Sequence, residues 1–169
     1  ARALNYAEIR RASNGSLLLQ DGITDRSTEI KPTIIINATG GWIDLTNRAI
    51  LPESRNAAPL MGGTKGSHLM IDNARLMAAL GGHMVYYENE DGRICILFPY
   101  LGKVLVGSTD IRVDDPGTVR CEADERDYIL QSLAFVLPEI RIAPEEIVFQ
   151  FAGVRPLPAS NDSFTGRIP

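Results

Sequence analysis

Lys65, Ser67 and His68 stand together in Gly62-Gly63-Thr64-Lys65-Gly66-Ser67-His68, just before the apolar run Leu69-Met70-Ile71. Each supplies a different piece of chemistry. A lysine is a point charge for an anion, a serine hydroxyl donates or accepts, and an imidazole can move a proton near neutral pH. The glycines let a backbone come close to a ligand. Such a set could bind a small anionic substrate. It could equally be a glycine turn entering a strand, with His68 simply hydrogen-bonded. It is not a phosphate loop, because the G-x-x-x-x-G-K-[ST] order is absent.

Arg155 lies at the end of an apolar run in Phe151-Ala152-Gly153-Val154-Arg155-Pro156-Leu157. A guanidinium there can grip phosphate or carboxylate through two parallel bonds, or it can close a sheet edge. Pro156 stiffens the exit. Asn37-Ala38-Thr39-Gly40-Gly41 follows the β-branched run Thr33-Ile34-Ile35-Ile36. Small residues there admit a bulky ligand such as a dinucleotide, although the G-x-G-x-x-G order is missing, and a tight strand-to-helix turn would look the same. Trp42, the lone tryptophan, suits core packing. Gly107-Ser108-Thr109-Asp110 ends the run Val104-Leu105-Val106, where hydroxyls and a carboxylate position a substrate or cap a turn. His83 reads as structural, and Asp114-Asp115 before Pro116 as a solvated turn.

The elements that must carry these residues follow from size and pattern. A chain of 169 residues, 44% hydrophobic and 22% charged, is long enough for one domain with a real core. A net charge of −4 without basic blocks argues against a nucleic-acid partner. No apolar run reaches the roughly 20 residues needed to span a bilayer. Cys95 lies inside a strand pattern as a buried thiol, and no Cys/His cluster points to a metal. A reducing, cytoplasmic compartment fits. Residues 1–12 read as the middle of a sheet rather than a free terminus, and the last residues close no element, which predicts an internal piece of a longer protein.

Residues 3–11 and 16–20 bracket the turn Ser13-Asn14-Gly15. A strand is expected at 33–36 and a short helix from Trp42 to about Asn47, with loop at 51–63. Further strands are expected near 66–72, 83–88, 93–98, 103–107 and 146–156. A short helix covers 73–80 with Gly81-Gly82 at its end. A longer helix covers 122–136, where Glu122, Asp124 and Glu125 suit the positive end of the helix dipole and Pro138 stops it. Strands joined by hairpins predict an α+β domain, its sheet mostly antiparallel or mixed, with helices on one face.

Four segments in register resemble the FAD-dependent glycerol-3-phosphate dehydrogenases: Ile36-Asn37-Ala38-Thr39-Gly40-Gly41-Trp42, Lys65-Gly66-Ser67-His68, Gly107-Ser108-Thr109-Asp110 and Gly153-Val154-Arg155-Pro156-Leu157. The resemblance implies the substrate or cap domain of a glutathione-reductase-type two-domain flavoprotein. Residues 1–50 would be the edge of the FAD domain and 51–169 a truncated substrate domain. His68 and Arg155 would be catalytic, with Lys65, Ser67 and Arg155 on the substrate. Asn37, Ala38, Thr39, Gly40 and Trp42 would form a wall of the FAD site. Thr109 and Asp110 sit in a family motif without an implied role. A second substrate arginine is expected just beyond Pro169, and Arg167 is not assigned that part.

The implied reaction oxidises sn-glycerol 3-phosphate to dihydroxyacetone phosphate by hydride transfer to FAD. Electrons would pass to quinone at the cytoplasmic face of the membrane, or to oxygen in oxidase relatives. Peripheral membrane association and a homodimer are compatible with it. The piece alone would be inactive. Two alternatives stay open: an amino-acid or sarcosine-type FAD oxidase on the same architecture, and a non-enzymatic anion-binding module.

Overall fold

A computed structural model describes residues 3–12 and 14–159. Ser13 of the expected turn and the stretch 160–169, with Arg167, lie outside the described residues. The chain divides into two units, Ala1–Met61 and Gly62–Pro169, so the loop at 51–61 groups with the first.

In the first unit, β1 (Ala7–Arg11), β2 (Leu17–Asp21) and β3 (Ser27–Ile30) form an antiparallel sheet in chain order. The expected hairpin is there, with Arg11 opposite Leu17. The expected strand at 33–36 is not. Those residues form no ladder, and Ile34 and Ile36 are 78% and 87% exposed. A β-branched run makes a strand only beside a partner that takes its backbone bonds. Among the described residues of this unit none runs alongside it.

A 3-10 turn at Gly40–Trp42 leads into α1 (Ile43–Ile50), which ends three residues later than expected. The Asp44 carboxylate, in its first turn, accepts from the amides of Leu60 and Met61 at 3.0–3.1 Å. That tether ties the loop after α1 to the helix.

The second unit is a six-stranded sheet whose pairings are all antiparallel. Its centre is β4 (Thr64–Ile71). On one side β4 pairs with β7 (Lys103–Gly107), followed outward by β6 (Ile94–Tyr100) and β5 (Val85–Glu88). The short β8 (Ile111–Arg112), absent from the sequence reading, pairs with Thr64 and Lys65. On the other side lies β9 (Ile147–Arg155). Strand alternation gives the sheet two unlike faces. One carries Leu69, Ile71, Val104, Val106 and Leu97, closed by Leu76 and Leu80 of α2 (Ala74–Leu80) and Ile129 and Leu133 of α3 (Ala123–Val136). Both helices therefore lie on one face, as expected.

The helix ends follow the residues that cap them. Asn73 accepts from the Leu76 amide at 2.8 Å at the start of α2, and Gly81 ends it at φ 55°, where glycine avoids the Cβ penalty. The Glu125 carboxylate accepts from the Glu122 amide at 3.0 Å at the start of α3. No described helix is long and apolar enough to cross a membrane.

Candidate active site

The motif Lys65-Gly66-Ser67-His68 lies inside β4. Alternation therefore sends its four residues to opposite faces. Lys65 and Ser67 point under α3. Gly66 and His68 point to the face the helices leave open, together with their cross-strand partners Gly153, Phe151 and Gly107. Arg155 pairs with Thr64 in the same alternation and shares that open face.

Both glycines facing these groups have a spatial reason. A Cβ on Gly66 would come closer than 3.0 Å to three atoms of the Arg155 guanidinium, so the arginine lies directly over Gly66. A Cβ on Gly107 would come equally close to the His68 ring. Each site side chain thus lies on the bare backbone of a neighbouring strand.

His68 stacks on Phe151 with ring centroids 5.2 Å apart and planes 12° from parallel, and Phe151 continues to Phe149 at 6.0 Å. Burial, followed by the positive charge of Arg155, holds the His68 imidazole below its ordinary pKa of 6.5. Its Nδ1 is buried without a hydrogen-bond partner among the described residues, and so is Thr64 Oγ1. Thr64 and His68 flank Gly66 on one face. Buried polar atoms left without partners call for a physical explanation, and here two of them border the same patch as a guanidinium.

Arg155 is held by the loop after β7. Nη2 donates to Ser108 Oγ at 2.7 Å, and Nη1 donates to the Thr109 carbonyl at 3.1 Å and to Asp110 Oδ1 at 3.4 Å. A cleft of about 380 Å³ opens beside it, lined among others by Arg93, Ile94, Ser108 and Leu157. This contact gives Gly107-Ser108-Thr109-Asp110 the positional role that its sequence left open.

Lys65 and Ser67 are not brought to that patch. Lys65 Nζ lies 2.5 Å from Glu125 Oε2 and donates to the Arg120 carbonyl at 3.1 Å. Ser67 Oγ and Thr109 Oγ1 each donate to Glu125 Oε1 at 2.7 Å, and the Ser67 amide donates to Thr109 Oγ1 at 2.9 Å. Burial by itself would raise the Glu125 carboxyl. The bonds from Lys65, the Glu122 amide, Thr109 and Ser67 outweigh it and hold the pKa below the ordinary 4.5. Glu125 escaped the sequence reading beyond its suitability for a helix start. The signal available was the alternation itself, which puts a buried lysine of a central strand opposite some acid of the covering helix.

In the first unit, Asn37 is spent internally. Its Nδ2 donates to the Ile43 carbonyl at 3.1 Å and to Asn47 Oδ1 at 2.8 Å, while its Oδ1 accepts from the Thr39 amide and hydroxyl. Asn37 thus staples the loop onto α1. Ala38, Thr39 and Trp42 remain exposed, and Gly40 has φ 59° with open space where a Cβ would be. The exposed Trp42 is not the core residue its rarity suggested. An open indole beside an unobstructed glycine backbone is a surface that a flat dinucleotide can lie against.

A family model described as FAD dependent oxidoreductase matches residues 1–169. An aerobic glycerol-3-phosphate dehydrogenase of Staphylococcus saprophyticus is 33% identical over 141 residues, covering 82% of this chain and 24% of the relative. A glycerol-3-phosphate dehydrogenase of Synechocystis sp. is 30% identical over 182 residues, covering 99% and 32%. The crystal structure of the glycerol-3-phosphate dehydrogenase from Bacillus halodurans, complexed with FAD, superposes with a TM-score of 0.78 at 28% identity, over 95% of this chain and 32% of that one. The chain therefore spans about a quarter to a third of the length of these relatives.

Proposed function

The chain belongs to the FAD dependent oxidoreductase family, and from that membership we propose that it is a segment of an enzyme that oxidises sn-glycerol 3-phosphate to dihydroxyacetone phosphate. Unit 62–169 is its substrate-binding or cap domain and the first unit an edge of its FAD domain. The observation that carries the reading is the pairing of a neutral histidine with an arginine on one open sheet face, each seated over a glycine. The relatives named for this reaction supply the substrate.

His68, kept neutral by burial and by Arg155, offers an unprotonated ring nitrogen to the substrate's C2 hydroxyl. Positioned proton transfer of this kind is worth about 10²–10⁴-fold. Arg155 keeps its charge at any working pH and binds the anionic end or the developing alkoxide. Phe151 stacks against His68 and limits the water that reaches it. FAD, when bound, would supply the hydride acceptor for this oxidation. Ala38, Thr39, Gly40 and Trp42 are the residues that would face the cofactor, and Asn37 shapes their loop. Lys65 and Ser67 act as structural residues that fix β4 under α3, rather than as substrate ligands. Electrons would leave to quinone at the cytoplasmic membrane face, with the protein working there as a peripheral enzyme, or to oxygen as in oxidase relatives.

The test is anaerobic addition of glycerol 3-phosphate, and separately of sarcosine, to the full-length protein while flavin absorbance is followed. Bleaching by glycerol 3-phosphate supports the proposal. Bleaching by sarcosine alone would move Arg155 to a carboxylate. A full-length protein without flavin would leave only an anion-binding module.

A further inference from the structure

We propose that Asp110 is a positioning residue for Arg155. The inference rests on the reading of Arg155 as the anion-binding group and extends it to one residue outside that reading.

The Asp110 carboxylate stands between two guanidiniums. Oδ1 lies 3.4 Å from Arg155 Nη1, and Oδ2 lies 3.7 Å from Arg93 Nη1. Asp110 and Arg93 come from separate strand ends, the turn after β7 and the start of β6, and both line the cleft of about 380 Å³ beside Arg155. Arg93 is itself shared, because its Nε lies 3.8 Å from Asp91 Oδ2.

The hydrogen bonds point the same way. A guanidinium carries five N–H donors in a rigid fork. The bonds to Ser108, Thr109 and Asp110 occupy three of them. Two donors remain, enough for a bidentate grip on one oxyanion. The loop thus fixes one edge of the guanidinium and presents the rest. The side chain lies over Gly66, where no Cβ stops it from swinging, so its orientation depends on this loop, in which Asp110 is the one charged partner beside Ser108 and the Thr109 carbonyl.

The two roles an acid can have beside an arginine predict opposite signs, and that makes the proposal testable. If Asp110 merely subtracted charge, neutralising it would tighten anion binding. If it positions Arg155, neutralising it weakens anion binding although the site becomes more positive. The probe is inorganic phosphate, used as a competitive inhibitor of flavin reduction in the full-length protein.

Asp110→Asn is expected to raise the phosphate inhibition constant by about threefold to tenfold. Asp110→Glu should recover part of the loss. Asp110→Ser, which removes the carboxylate with a smaller side chain, should weaken phosphate as well, and it serves if Asp110→Asn fails to fold. Tighter phosphate binding in Asp110→Asn would overturn the proposal. So would an unchanged inhibition constant accompanied only by a lower Tm. Arg155→Ala separates the two levels of the argument. Undiminished phosphate inhibition in that variant would remove the anion-binding reading itself. Loss there, with no change in Asp110→Asn, would sink the positioning role alone.

Discussion

At the scale of single residues, the two glycines that bear the site side chains are the most informative positions. Gly66 and Gly107 have no need of unusual backbone angles; what matters is the space above them. Gly66→Ala forces out the far end of a flexible arginine, which can move, so the fold should tolerate it. The displaced guanidinium is expected to cost about tenfold to a hundredfold in kcat/KM, with Tm nearly unchanged; steady-state kinetics and a thermal melt of the full-length protein check both. His68 gives a second prediction. Its folded pKa lies below 6.5 because burial and Arg155 disfavour the cation. Its contribution to stability is therefore intact above pH 6.5 and is lost as pH falls through the lowered value. Titration of its ring proton by NMR, with His83→Gln to assign the two histidines, should place the midpoint below 6.5. A midpoint at or above 6.5 would refute the neutral-imidazole account.

At the scale of elements, β4 and α3 are joined by the cluster of Lys65, Glu125, Ser67 and Thr109, in which Lys65 and Glu125 are 10% and 2% exposed. Lys65→Met leaves a carboxylate buried without its cation and is expected to cost about 3–5 kcal/mol, read from a denaturant midpoint. Glu125 has a lowered pKa, so its stabilisation is complete above pH 4.5 and fades as pH drops through the folded value. The same titration in Glu125→Gln should show a flatter acid limb.

Most of these elements were legible in the sequence. The hairpins, α2 with its glycine end, and α3 between its acidic start and Pro138 follow from local periodicity and breakers, which need no knowledge of neighbours. The run Thr33–Ile36 misled because its propensity is local while a strand depends on a partner. Within the site, His68 and Arg155 were visible as chemistry-bearing types. The strand expected at 66–72 already turns Ser67 and His68 to opposite faces, but which face the helices cover was not legible, because that depends on contacts distant in the chain. Asp110 and Glu125 act through contacts 45 and 58 residues away in the chain, a distance that no local pattern reports.

At the scale of the whole molecule, the sheet of the second unit has one face sealed by helices and one left open. The open face carries His68 and Arg155, and across its strands it also exposes Phe149, Ile94 and Tyr86, which are 57%, 58% and 67% exposed. A patch of that kind marks an interaction surface. The 169-residue chain alone should therefore associate with rising concentration, and Phe149→Lys should suppress the association in light scattering. Concentration-independent monomers of the unaltered chain would contradict this.

The central claim is that adjacent residues of one motif do different work because a strand turns them to opposite faces. The measurement that tests it most directly is the anaerobic rate of flavin bleaching by glycerol 3-phosphate in full-length His68→Asn and Ser67→Ala. The account predicts a loss of about 10²–10⁴-fold for the first. For the second it predicts a near-native rate, with only stability reduced, by about 1–3 kcal/mol. Equal losses in the two variants, or a loss confined to Ser67→Ala, would contradict it.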